Sequence, residues 1–337
     1  MVTKRVDLFD TTKFLLIFLV VYGHMLQPYR EISYNSELYS LIYSFHMPLF
    51  IIISGYFSKR KQEREVFIRD SLRLLETFVF LHLLSIVYEL LSQGDINLSK
   101  ILVPGFASWY ILCLLIWRCV LRFIPDKWLE APYYCFLLTI VVSLSAGYIP
   151  VGGVLAIQRS FSMFPFFILG FLLNKYNCFN RIKVKSIFGL LFLLIFVIVV
   201  FRYNNIGDMG DGNNEFHNVM HCTYHYYKGK DFISHPLFYR FLYILLSTII
   251  SFAVISVIPR HNLGFVTEEG RFTLFYYFWH SIVFNMILVA FSFASVENNS
   301  FSLFVGSILV MFILYSIRKS RILKMLMNPI SSLCKII

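Results

Sequence analysis

Ten apolar stretches, near residues 11 to 29, 38 to 58, 74 to 92, 107 to 121, 132 to 149, 158 to 174, 186 to 201, 237 to 258, 272 to 293 and 301 to 317, constrain this chain more than any other feature. A hydrocarbon core of roughly 30 Å takes about 20 helical residues to cross. Inside it every backbone amide and carbonyl must be bonded within its own segment, which leaves the helix as the form for a run of this length. The pattern therefore predicts an all-α polytopic membrane protein of about ten transmembrane helices. The stretches at 107 to 121, 158 to 174 and 186 to 201 are short, and "SMFPFFILGFLLN" carries a proline. Composition agrees: at 58% hydrophobic and 18% aromatic residues, there is more apolar surface than one soluble core hides. Lys4 and Arg5 precede the first stretch, but no small-residue cleavage pattern follows Tyr22-Gly23-His24, so this helix is expected to be retained.

Lysine and arginine collect in short cytoplasmic loops of membrane proteins. If the chain starts inside, 23 of its 30 basic residues fall on that side, which predicts cytoplasmic termini. Topology thus accounts for most of the formal charge of +11 and leaves no basic stripe of the kind that binds nucleic acid. Of the six cysteines only Cys222 falls in an outer loop, so neither a disulfide nor a structural zinc site is expected. The main extramembrane segment, about 202 to 236, is rich in Gly, Asn and Asp and reads as an outer cap. Its His217, His221 and His225 would share a helical face, yet the turn-forming composition argues against a helix there and no metal is expected. Residues 1 to 337 read as a single transmembrane domain with no soluble domain attached.

A histidine inside a span is costly and usually faces the bundle interior or a wet cavity. In "RVDLFDTTKFLLIFLVVYGH", His24 follows Lys13 by eleven residues, about 16 Å of helical rise with the rotation nearly closed. Asp10 lies one turn before Lys13 on the same stripe. An ionic pair at the cytoplasmic mouth would then lead up to an imidazole near mid-membrane, although a structural histidine bonded to a neighbouring helix fits the spacing equally well. In "LIYSFHMPLFIIISGYFSKR", His46, Pro48 and Ser54 share one hydrophobic segment, which reads as a bent, polar-lined helix.

These two segments resemble the opening of the acyltransferase 3 family, in particular the branch that resembles fucose 4-O-acetyltransferases. The family's first-helix motif is a basic residue, ten intervening residues and a histidine, and Lys13 with His24 has that form. "SWYILCLLIWR" at Ser108 to Arg118, "FPFFILGFLL" at Phe164 to Leu173 and "GRFTLFYYFWH" at Gly270 to His280 resemble later family segments in order and spacing. The resemblance implies transfer of an acyl group, usually acetyl from acetyl-CoA, to a hydroxyl of a cell-surface carbohydrate or its precursor, by a multi-pass protein of the bacterial cytoplasmic membrane with lipid around it. It implies that His24 is the general base; Lys13 is the motif's basic residue, and Asp10 joins the two as a catalytic candidate by its place on the same helical stripe. An imidazole of unperturbed pKa near 6.5 suits that task.

The donor needs a cytoplasmic anion site. Arg69 and Arg73 stand four apart on one helix face and match the family's R-x-x-x-R motif, and guanidinium forks suit phosphate oxygens. Inside loops collect arginines in any case. His82 and Glu89, seven apart on the third stretch, are expected to line the cavity or to hold helices together, and Tyr276 and His280 to line it or form a buried polar cluster. A proton-coupled transporter or flippase also uses intramembrane His, Asp and Glu. The paired interrupted helices of such carriers are not found.

Overall fold

In the computed structural model the described residues are 6–32, 34–93, 101–105, 108–149, 153–181, 186–204, 226–228, 231–232 and 235–327. They form fifteen α-helices, several 3-10 turns and one small hairpin. In chain order the helices are α1 (Asp7–Leu26), α2 (Asn35–Tyr43), α3 (His46–Phe57), α4 (Arg64–Gln93), α5 (Ser108–Phe123), α6 (Asp126–Glu130), α7 (Pro132–Ser145), α8 (Ile157–Lys175), α9 (Cys178–Arg181) and α10 (Ser186–Asn204). After β1 (Tyr227–Lys228) and β2 (Asp231–Phe232) come α11 (Pro236–Val257), α12 (Phe265–Glu269), α13 (Thr273–Phe293), α14 (Ser300–Ile317) and α15 (Arg321–Met327).

Seven helical stretches among the described residues are long and apolar enough to cross a bilayer: Asp7–Tyr29, Asn35–Phe57, Arg64–Leu90, Val154–Lys175, Pro236–Val257, Phe265–Phe293 and Ser300–Ile317. Pro132–Tyr148 and Ser186–Arg202 are shorter apolar helices. The protein is a multi-pass integral membrane protein. Its outward faces fit hydrocarbon: α4 exposes Leu72, Val79, Leu83 and Val87, and α10 exposes Leu191, Ile195 and Val199. In water such continuous apolar patches would drive association.

The stretch read as one bent helix over 38 to 58 is two helices. The chain breaks at Ser44 and Phe45, and α3 restarts at His46. Pro48 then falls in the first turn, where no intrahelical N–H is needed, so it starts the second helix instead of kinking a continuous one.

The α3 and α8 backbones touch through two glycines. A Cβ on Gly55 would overlap the carbonyl of Phe167, and one on Gly170 would overlap that of Ile52. Small residues let membrane helices approach this closely. α1 is the spine, packed against α2, α3, α12, α13 and α14. At its N-terminal end Lys13 pairs with Asp10 at 2.7 Å, Arg271 approaches Asp10 at 3.8 Å, and Thr11 shares a hydrogen bond of 2.8 Å with Thr267. Gly270 lies against the backbone of Asp10 with no room for a side chain.

Most of the expected outer cap lies outside the described residues, as do His217, His221 and His225. Its far end is fixed by the buried Tyr226, which donates to Leu144 O at 2.7 Å and lies under the Arg240 guanidinium at 5.1 Å.

Candidate active site

A cavity of about 710 Å³ opens where α1 ends, α4 approaches its end, and α5, α8 and α11 begin. His24, in the last turn of α1, projects into it and is half-buried. The histidine expected near mid-membrane thus stands close to one end of its helix, because α1 already begins at Asp7, six residues before Lys13. Its ring is stacked on His280 at 5.4 Å and on Phe284 at 5.9 Å, so two neighbours on α13 fix its plane. Nδ1 lies 3.4 Å from Gln27 Oε1, which also accepts from the Tyr43 hydroxyl at 3.4 Å. An amide oxygen only accepts, so a hydrogen bond here requires the proton on Nδ1, the tautomer whose Nε2 carries a lone pair.

Two other histidines line the same cavity. His46, the first residue of α3, donates from Nδ1 to Ile42 O at 2.7 Å and meets Tyr43 edge-on. His82 on α4 donates from Nε2 to Ile101 O at 2.6 Å, while its Nδ1 is buried with no partner among the described residues. Glu89 lines the cavity two turns further along α4. His280 stands behind His24 rather than on the wall. It is fully buried and donates to Tyr277 O at 2.7 Å, and its Nε2 has no partner among the described residues.

Other expected site residues lie elsewhere. Ser54 donates to Phe50 O at 2.9 Å and shares a 2.5 Å hydrogen bond with Tyr110, and it does not line the cavity. Tyr276 donates to Glu269 at 2.6 Å, and Glu269 is paired with Arg318 at 2.6 Å, a buried cluster at the end of the bundle away from His24. Asp10 and Lys13 form the expected pair, about 16 Å of helical rise from the imidazole. Arg69 is exposed beside Asp70, Arg73 is half-buried, and both precede His82 by two turns or more on α4.

Arg30, Arg159 and Trp109 also line the cavity and were not singled out in the sequence as site residues. Arg159 and Arg30 sit at span ends, where a cation reads as topology. Trp109 stood only within a motif. Tyr88 and Asn285 close one side through a hydrogen bond of 3.1 Å. Among the described residues no group of three His, Cys, Asp or Glu side chains is arranged to hold a metal ion.

The family profile described as "Acyltransferase domain" matches residues 7–317. The chain belongs to the acyltransferase 3 family. Among curated proteins, this acyltransferase 3 chain is similar to Nodulation protein NolL of Sinorhizobium fredii (strain NBRC 101917 / NGR234), 46% identical over 65 residues. That match covers 18% of this chain and 18% of NolL, so the shared part is a small fraction of either length. No solved structure matches. Family membership and the apolar helices support a membrane-embedded acyltransferase-type activity.

Proposed function

We propose that the protein is a membrane O-acetyltransferase that moves an acetyl group from acetyl-CoA to a hydroxyl of a cell-surface carbohydrate or its precursor, in the branch of its family that resembles fucose 4-O-acetyltransferases. The observation that carries this reading is His24: a half-accessible imidazole held by stacking and a hydrogen bond at Nδ1, facing a cavity that two further histidines line.

The proposed step follows from that geometry. Nε2 of His24 takes the proton of the acceptor hydroxyl as its oxygen attacks the thioester carbonyl. The new C–O bond forms and the C–S bond breaks. The coenzyme leaves as a thiolate, which receives the proton from the imidazolium. His46, His82 and Glu89 line the space around the reacting groups. His280 acts from behind the wall by holding the plane of the His24 ring, while Tyr276, bonded into the Glu269 and Arg318 cluster, holds the other end of the bundle together.

Ten spans with both termini in the cytoplasm, in a bacterial cytoplasmic membrane, orient this chemistry. The cavity then faces the outer side, while Arg69 and Arg73 face the cytoplasm. The accessible guanidinium of Arg69, one turn from Arg73, fits the phosphates of acetyl-CoA as a co-substrate. Asp10 and Lys13, which do not reach the cavity, are positioning residues that lock α1 to the segment around Thr267 and Gly270.

The test is incubation of purified protein with labelled acetyl-CoA and a panel of glycans, looking for an alkali-labile ester. Ester formation is expected. Glycan movement across proteoliposomes with no ester formed would overturn the reading in favour of a carrier.

A further inference from the structure

Charge is distributed unevenly around the cavity. Among the described lining residues Glu89 is the one carboxylate, whereas two guanidiniums reach the cavity from different elements, Arg30 from the turn after α1 and Arg159 from the first turn of α8. Each is seated on an aromatic ring: Arg30 Cζ lies 5.1 Å from the Tyr39 centroid and Arg159 Cζ 4.9 Å from that of Trp109. Arg30 is further fixed by Nε donating to Gln27 O at 3.0 Å. Stacking of this kind orders the planar fork before any ligand arrives and reduces the entropy lost on binding.

The two charges share one cavity wall system. Tyr39, which carries Arg30, stacks on Tyr43 at 3.9 Å, and Tyr43 lines the cavity together with Arg159, His24 and Tyr277. Trp109 and Arg159 lie in the first turns of α5 and α8, so the positive ends of two helix dipoles point toward the same space.

We propose that this cavity is the acceptor site and that it takes an acceptor carrying a phosphate or carboxylate close to the hydroxyl to be acylated, held by Arg30 and Arg159. The assignment to acceptor rests on the acetyltransferase reading above. The donor's phosphates fit this place poorly, because in coenzyme A they lie at the far end of the pantetheine arm from the thioester, whereas these arginines line the same cavity as His24. The planar fork of a guanidinium matches the oxygen spacing of either oxyanion.

The test uses the full chain in maltoside micelles with no acyl donor present. Methyl glucoside, methyl glucuronide, glucose 1-phosphate and coenzyme A are titrated into wild type, Arg30→Gln, Arg159→Gln and the double variant. At least one anionic sugar is expected to bind about tenfold or more tighter than methyl glucoside, with the preference falling as salt rises. The glucuronide and phosphate arms tell an acidic glycan from a phosphate-linked precursor. Each single variant should reduce that preference and the double variant remove it, with coenzyme A affinity unchanged.

Equal binding of charged and neutral sugars by wild type overturns the proposal, and this comparison needs no variant to fold. It also separates anion recognition from stabilisation of a reaction intermediate, which would leave unreactive probes indifferent to charge. Survival of the preference in the double variant, or loss of coenzyme A binding with it, overturns the proposal as well. Because no donor is present, absence of ester in the transfer assay would remove acetyl transfer and leave the anion site standing.

Discussion

An imidazole among apolar helices is tolerated when its nitrogens have work or partners. His24 has one nitrogen engaged with Gln27 and rings of His280 and Phe284 stacked against it, so the ring is held while the side chain lines the cavity. His24→Ala is therefore expected to lower turnover by about 10²- to 10⁴-fold, the usual contribution of a general base, with coenzyme A binding unchanged. His24→Gln separates chemistry from packing, since glutamine keeps a hydrogen bond but takes no proton near neutrality. Transfer rates of both variants check this, and activity retained in His24→Gln would assign His24 a structural role. His24, His46, His82 and Glu89 were legible in the sequence because a polar side chain in an apolar run is conspicuous. Arg30 and Arg159 were not, because at a span end a cation costs little and reads as a topological marker. Ser54 lies in an apolar run just as those histidines do, but its hydroxyl is spent on Phe50 and Tyr110, which only three-dimensional contact reveals.

At the scale of elements, the apolar runs located the helices, and hydrophobicity alone did not locate their breaks. The run from 38 to 58 splits because Phe45 takes a non-helical conformation and Pro48 suits a new first turn, an arrangement that makes His46 a helix-start residue facing the cavity. The glycine that ends "FPFFILG" has its reason in packing: Gly170 on α8 and Gly55 on α3 each lie against a carbonyl of the other helix. Gly170→Ala would push its methyl into Ile52 O and toward Tyr56 N, both backbone atoms that cannot turn aside. Overpacking of this kind costs about 1–3 kcal/mol. The variant is expected to unfold at lower temperature in detergent. Because α3 carries His46 and α8 carries Arg159, its activity per folded molecule should fall too. An unchanged unfolding midpoint would mean that the two helices separate without cost.

Across the whole molecule, helices that meet at the cavity carry most of their basic residues at the other end, Arg159 on α8 and Arg240 on α11 being exceptions. α4 has Arg64, Arg69 and Arg73 near its start and His82 and Glu89 toward its end, α5 ends in Arg118 and Arg122, and α8 ends in Lys175. This separation was legible as a bias in loop charge, whereas the gathering of α1, α4, α5, α8 and α11 around one cavity depends on long-range packing that no local pattern encodes. Several cations at the basic end are already engaged: Arg60 contacts Asp126, Arg118 approaches Asp70 at 3.6 Å, and Arg122 donates to Gln62 O at 3.0 Å. Arg69, with 59% of its side chain exposed, is more available, and Arg73 lies one turn further along the same helix. From Arg73 to His82 the helix rises by about 14 Å, so a donor anchored at the basic end must extend an arm toward the cavity. If these two arginines hold the phosphates, Arg69→Ala with Arg73→Ala removes hydrogen bonds to charged groups worth about 1.5 to 3 kcal/mol each. Acetyl-CoA affinity is then expected to fall at least about tenfold, each 1.4 kcal/mol being a factor of ten. Turnover at saturating donor should change less, because phosphates remote from the thioester contribute mainly uniform binding. The difference between wild type and variant should narrow as salt screens the interaction. Calorimetric titration of acetyl-CoA into both proteins at low and high salt checks all three expectations. Equal affinities would move the coenzyme site to another part of the same face, first of all the basic stretch that begins at Lys175.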